Sequence, residues 1–102
     1  MKIQVNTDGI VDGSQQVIDS INNAIAGTLN RFKDQITRIE VFLSSDKPSG
    51  MAEQQCALEA RIENRPAITV THKAPSSDLA VKGAVEKMKT ALTRSNGRNK
   101  PF

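Results

Sequence analysis

Gln55-Cys56-Ala57-Leu58-Glu59-Ala60-Arg61-Ile62-Glu63 is the stretch that decides the fold. Cys56, Leu58, Ala60 and Ile62 fall on one side of an extended chain and Glu59, Arg61 and Glu63 on the other, because successive side chains of a strand point to opposite faces. One face is thus expected in a core and the other in water. Upstream, Arg38-Ile39-Glu40-Val41-Phe42-Leu43 repeats the alternation with Ile39, Val41 and Leu43 inward. Lys2-Ile3-Gln4-Val5-Asn6 repeats it again with Ile3 and Val5 inward. Downstream, Asn64-Arg65-Pro66 reads as a short turn, and Ala67 to Lys73 as a fourth strand with Ile68 and Val70 inward. Asp8-Gly9, Asp12-Gly13 and Ser45-Asp46-Lys47-Pro48-Ser49-Gly50 read as loops by composition.

Two segments switch to a helical period. Ser14 is placed to cap a helix whose apolar positions are Ile18, Ile21, Ile25, Leu29 and Phe32, steps of three and four that share one face. Gly27 weakens this helix without erasing its pattern. Pro75 ends the fourth strand, Ser76 or Ser77 starts the last helix, and Val81, Val85, Met88 and Leu92 form its stripe. Asn96-Gly97 is expected to stop it, so residues 1–95 are expected to form one domain and 96–102 a flexible basic tail. The order is β-α-β-β-β-α. Two amphipathic helices suffice to cover one face of four alternating strands, which gives an α+β two-layer sandwich: a four-stranded mixed sheet with both helices on one face. The first strand reaches the second through a helix and is expected parallel to it, and the last two strands form an antiparallel hairpin.

Composition narrows the function. A chain of 102 residues has room for one core, and 37% hydrophobic with 25% charged residues is an ordinary globular balance. Three phenylalanines are the whole aromatic content, too few to line a pocket for a large cofactor, and no cofactor is expected. No apolar run approaches the roughly 20 residues needed to cross a bilayer, and the opening Met1-Lys2-Ile3-Gln4-Val5 does not read as a secretory signal, so neither a leader nor a membrane is expected. The lone Cys56 excludes an internal disulfide and fits a reducing compartment, with the cytoplasm the expected location.

Catalysis has little support. Cys56 sits mid-strand on the inward phase, where a small buried hydrophobe belongs. His72, near the end of the fourth strand, reads as an ordinary helix-facing or rim histidine. Glu59 and Glu63 share a solvated strand face. No Ser-His-Asp grouping, metal-spaced His/Cys set or Gly-rich phosphate loop is visible. A non-enzymatic role, with no small-molecule substrate, is expected.

Charge is more informative. Residues 1–72 carry seven Lys/Arg against nine Asp/Glu, whereas residues 73–102 carry seven against two. A basic last third on a near-neutral body suits docking on phosphate, although a soluble helix with a stray basic tail has the same counts. In the last helix Lys87 and Arg94 point away from the apolar stripe, and Lys82 and Lys89 lie on one flank of it. Each pair is seven residues apart, so two basic rows run along the helix, interrupted by Glu86. Such rows meet RNA phosphates without reading bases. Arg31 and Lys33, at the end of the first helix, either extend that surface or answer the helix dipole. On the open sheet face Lys2, Arg38, Arg61 and Lys73 are offset by Glu40, Glu59 and Glu63. Phe42 is the one aromatic expected to face outward there, where packing under a loop is its ordinary role.

The element order, together with Met1-Lys2-Ile3-Gln4-Val5, Arg38-Ile39-Glu40-Val41-Phe42-Leu43 and the run from Asp78 to Arg94, resembles the ribosome hibernation promoting factors across almost the whole chain. That family includes ribosome-associated inhibitor A and the sigma-54 modulation proteins. The resemblance implies a fold similar to a double-stranded-RNA-binding domain. It also implies binding to rRNA of the small ribosomal subunit near the decoding region, blocking mRNA and tRNA sterically. The family's basic helix positions correspond to Lys82, Lys87, Lys89 and Arg94, and more loosely to Arg31 and Lys33. Lys73 completes the candidate RNA-binding set. Asp78-Leu79 stands where the family often has an aromatic, and the first helix is less basic than usual. The sequence ends at Phe102 without the dimerisation domain of long-form members, so pairing of two ribosomes through its own tail is not expected; the oligomeric state of the free protein stays open, with a monomer the default expectation. Two other readings stay open: a protein-interaction module acting on a transcription or stress regulator, and a general RNA-binding domain without a ribosomal address.

Overall fold

The structure is a computed structural model that describes residues 2–8, 15–45 and 53–98, with side chains to residue 94. Strand β1 (Lys2–Thr7) leads to helix α1 (Gln15–Leu29) and a 3-10 turn at Asn30–Phe32. Strands β2 (Ile36–Ser45), β3 (Gln54–Ile62) and β4 (Ile68–Ala74) follow, then helix α2 (Ser77–Arg98). The sheet order is β1-β2-β3-β4, with β1 parallel to β2 and the other neighbours antiparallel. This is the expected α+β arrangement.

The register shows why alternation was decisive. Leu58 stands opposite Val41 on one side and Val70 on the other, Ala60 opposite Ile39 and Ile68, and Cys56 opposite Leu43 and His72. Directly opposed residues share a face, so these rows make one apolar floor. Ile21, Ile25 and Leu29 of α1, Phe32 of the turn, and Ala80, Val81, Ala84, Val85, Met88 and Leu92 of α2 close over it. No polar or charged residue is buried among the described residues. Removing a core side chain as large as Leu58 or Met88 costs about 2–5 kcal/mol. Asn64, in the β3–β4 turn, has φ 63°, a left-handed conformation that Asn tolerates better than most side chains.

Three details differ from expectation. α2 runs through Asn96-Gly97 to Arg98, because a helix anchored by packing propagates over weak formers far more easily than it nucleates. Residues 96–98 are therefore helical, and the remainder of the expected tail, 99–102, lies outside the described residues. In α1, Ile18 is half-buried, and the equally half-buried Val17 and Ala24, on the flank that meets α2, pack against the core. Phe32 belongs to the 3-10 turn beyond α1. The Ser14 cap, most of the expected Asp8–Gly13 loop and most of the Ser45–Gly50 loop also lie outside the described residues.

Gly83 of α2 passes tightly over His72 of β4. A methyl group on Gly83 would collide with the Cδ2, Nε2 and Cγ atoms of His72, whereas one on Gly27 meets nothing within 4 Å. Gly→Ala in an exposed helix normally stabilises by about 0.5–1 kcal/mol. Gly27→Ala is expected to do so, whereas Gly83→Ala destabilises by about 1–3 kcal/mol. His72→Ala should relieve much of that loss in a double-mutant cycle read by urea unfolding.

Cys56 has no exposed surface, and desolvation pushes its thiol pKa up to about 12. Above the unfolded thiol's pKa, the unfolded chain loses a proton that the folded chain keeps, so stability falls as pH rises toward about 12. The slope is about 1.4 kcal/mol per pH unit for this one group. Alkaline unfolding of Cys56→Ala, compared with the parent, should show that component removed.

Candidate nucleic-acid interface

α2 carries the candidate cations because its inward positions are filled by Ala80, Val81, Ala84, Val85, Met88 and Leu92, which leaves charged side chains on the flanks and crest. At about 100° per residue, Lys82 and Lys89 lie roughly 80–100° to one side of Val81. Lys87 and Arg94 lie roughly 120–140° to the other side. The first row is on the flank toward α1, where Val17, Ser20, Ile21 and Ala24 of α1 share a groove with Ser77, Asp78 and Val81 of α2. The second is on the flank toward β4. The two rows are therefore separated by a crest that includes Glu86, Thr90 and Thr93.

Each cation has a distinct environment. Lys82 pairs with Asp78 one turn earlier, 3.7 Å apart, both side chains about two-thirds exposed. Such a pair is worth little and yields readily to a phosphate. Lys89 is half-buried and Arg94 exposed, and neither has an ion-pair partner among the described residues. Lys87 does not simply point into solvent: its amine donates to the Thr71 carbonyl at 2.8 Å, on the exposed edge of β4. An open groove of about 420 Å³ runs beside it, lined by Val70, Glu86, Lys87, Thr90, Ala91 and Arg94.

The other candidates lie elsewhere. The Arg31 guanidinium sits 5.0 Å from the centroid of the Phe32 ring, a cation–π contact that anchors it to the core's rim. Lys33 follows, exposed, at the start of the link to β2. Lys73 is exposed on the open sheet face, since its neighbour His72 faces the helices. The candidate residues thus fall on two flanks of α2, the α1–β2 turn and the far side of the β4 edge, not on one continuous patch.

The open sheet face largely neutralises itself. Arg38 opposes Arg61 and Glu40 opposes Glu59 across β2 and β3, pairings that are unfavourable alone. They are offset by Arg38–Glu40 and Arg61–Glu59 ion pairs, each 3.5 Å, and by a hydrogen bond from Arg38 to Gln4. Phe42 lies among these groups opposite Ala57 and Asn6, and is 43% exposed.

Buried Cys56, with its thiol held protonated, is a poor nucleophile. Among the described residues no group of three or more His, Cys, Asp or Glu is placed to hold a metal, and no helix is long and apolar enough to cross a membrane. Sequence reasoning found both rows from their seven-residue spacing. It missed the groove beside β4, because Val70 and Ala91 meet there through packing and no local pattern announces it.

No curated protein matches this chain. Among solved structures, a ribosomal subunit interface protein from Coxiella burnetii superimposes with a TM-score of 0.78 at 16% identity, covering 95% of this chain and 99% of that one. The N-terminal domain of Protein Y from Thermus thermophilus gives 0.76 at 16% identity, covering 92% and 98%. At such identities these likenesses establish the fold. Residues 3–100 match the family described as sigma 54 modulation protein / S30EA ribosomal protein, and with nearly the whole length matched, the chain belongs to that family.

Proposed function

We propose that this protein is a ribosome-associated translation inhibitor that binds small-subunit rRNA near the decoding region and sterically excludes mRNA and tRNA. The observation that carries the reading is the pair of cation rows on α2: Lys89 and Arg94 have no ion-pair partner among the described residues, and Lys82 has a weak one. Family membership supports a ribosomal address, as does the likeness to a protein named for the ribosomal subunit interface. Lys82, Lys87, Lys89 and Arg94 hold phosphate oxygens, while Arg31, Lys33 and Lys73 add charge around the rim. Lysine suits this task because it is a flexible point charge that meets phosphate without demanding a base. Inhibition by occupancy requires rigidity and shape and no catalysed reaction. The site of action is the cytoplasm, where ribosomes work.

Co-sedimentation with small subunits and with whole ribosomes tests this directly. With four phosphate contacts, affinity should fall roughly hundredfold between about 50 and 200 mM salt. The quadruple variant Lys82→Glu, Lys87→Glu, Lys89→Glu and Arg94→Glu, checked for folding by circular dichroism, should no longer pellet. Undiminished pelleting of that folded variant would refute the mechanism, and equal affinity for any RNA duplex would favour RNA binding without a ribosomal address.

A further inference from the structure

We infer that the groove between α2 and the β4 edge is a binding site for an unpaired strand of RNA, with Lys87 and Arg94 on its phosphates and Val70 and Ala91 beneath a base or ribose. This rests on the RNA-binding reading above and adds which kind of RNA this flank takes.

The first argument is the groove's lining. Duplex phosphates can be met by charge alone, with no apolar floor between the cations. Here an open trough of about 420 Å³ has cations on α2 and a hydroxyl, Thr90, between them. Its volume lies in the range of pockets that hold small organic groups. Its apolar part, from half-buried Val70 and Ala91, suits the flat face of a base, which stacking hides in a duplex and an unpaired strand exposes. An unpaired nucleotide has both parts: a flat apolar face for the floor and an anionic backbone for the rim.

The second argument is the state of Lys87. Its ammonium has three donors. One is given to the Thr71 carbonyl, which fixes the charge at the lip of the groove and leaves two donors for a ligand. Arg94 lies seven residues further on, about 10 Å along the axis. The groove is thus flanked by one preset cation and by an exposed one with no ion-pair partner among the described residues. Glu86, on the outer lip, is the single carboxylate, and it can accept from a base amino group.

The third argument separates RNA from the other polymer that such a trough attracts, an acidic peptide adding to the sheet. Strand addition uses the outward N–H and C=O groups of the edge strand. On β4 these belong to alternate residues, Thr69, Thr71 and Lys73, and the central carbonyl is already occupied by Lys87. A peptide must displace that lysine, whereas a nucleotide strand uses it in place.

Titration of the isotope-labelled protein with a short oligouridylate, which cannot pair with itself, provides the test. Amide shifts should concentrate at residues 69–71 and 86–94. A blunt RNA duplex of equal length should bind more weakly, and an oligo-glutamate peptide should not compete. Lys87→Gln/Arg94→Gln should weaken oligouridylate binding on the order of tenfold or more, while Lys2→Gln/Arg61→Gln, which removes equal charge from the open sheet face, should change it much less. Shifts centred elsewhere, equal or tighter duplex binding, competition by oligo-glutamate, or equal loss in both double variants would overturn the inference. A protein that pellets with ribosomes yet shows one of those outcomes retains the ribosomal reading and loses this one. A protein that does not pellet at all loses the ribosomal reading itself.

Discussion

Met88 and Leu92 are buried only if α2 lies flat across β3 and β4, and Gly83 is the point that lets it. There the helix backbone passes over the His72 ring with no room for a methyl group. The close approach lets the stripe from Ala80 to Leu92 reach the floor made by Cys56, Leu58 and Ala60. It also fixes how far α2 stands from the β4 edge, and with that distance everything on the helix flanks. The Lys87 amine reaches the Thr71 carbonyl because its stem spans this set gap. The groove over Val70 and Ala91 is the space left beneath that stem.

Charge is partitioned on the same frame. The open sheet face places like charges opposite one another and offsets them with ion pairs along each strand, so its field at a distance is small. α2 has few such internal partners. Asp78 answers Lys82 weakly at the surface, and Arg94 has none among the described residues. A phosphate-rich partner therefore meets a stronger field on the helical side. Because the two rows sit on opposite flanks of α2, each can serve a different stretch of backbone, with the crest of the helix between them.

The strands, their inward residues and the sheet's parallel and antiparallel pairs were legible in the sequence because burial on one face imposes a period of two. Leu58, Val41 and Val70 announce their shared row by phase alone. The core face of α2 was equally legible at a period of 3.6. The end of α2 was not, since Asn96-Gly97 lowers helix propensity by less than packing and propagation supply. The cations of the candidate site were readable as spacings, but their environments were not. The Lys87–Thr71 bond and the groove beside it depend on the offset between a helix and an edge strand, which is set by contacts between residues far apart in the chain. Phe42, expected from its phase to face outward, is exposed on the open face.

The α2 flanks are proposed to hold ribosomal phosphates by charge. The slope of log affinity against log salt for small-subunit binding counts the ions released on contact. Lys82→Gln/Lys89→Gln and Lys87→Gln/Arg94→Gln should each reduce that slope by about two relative to the parent. A slope identical in all three proteins would mean that these side chains do not meet the phosphates.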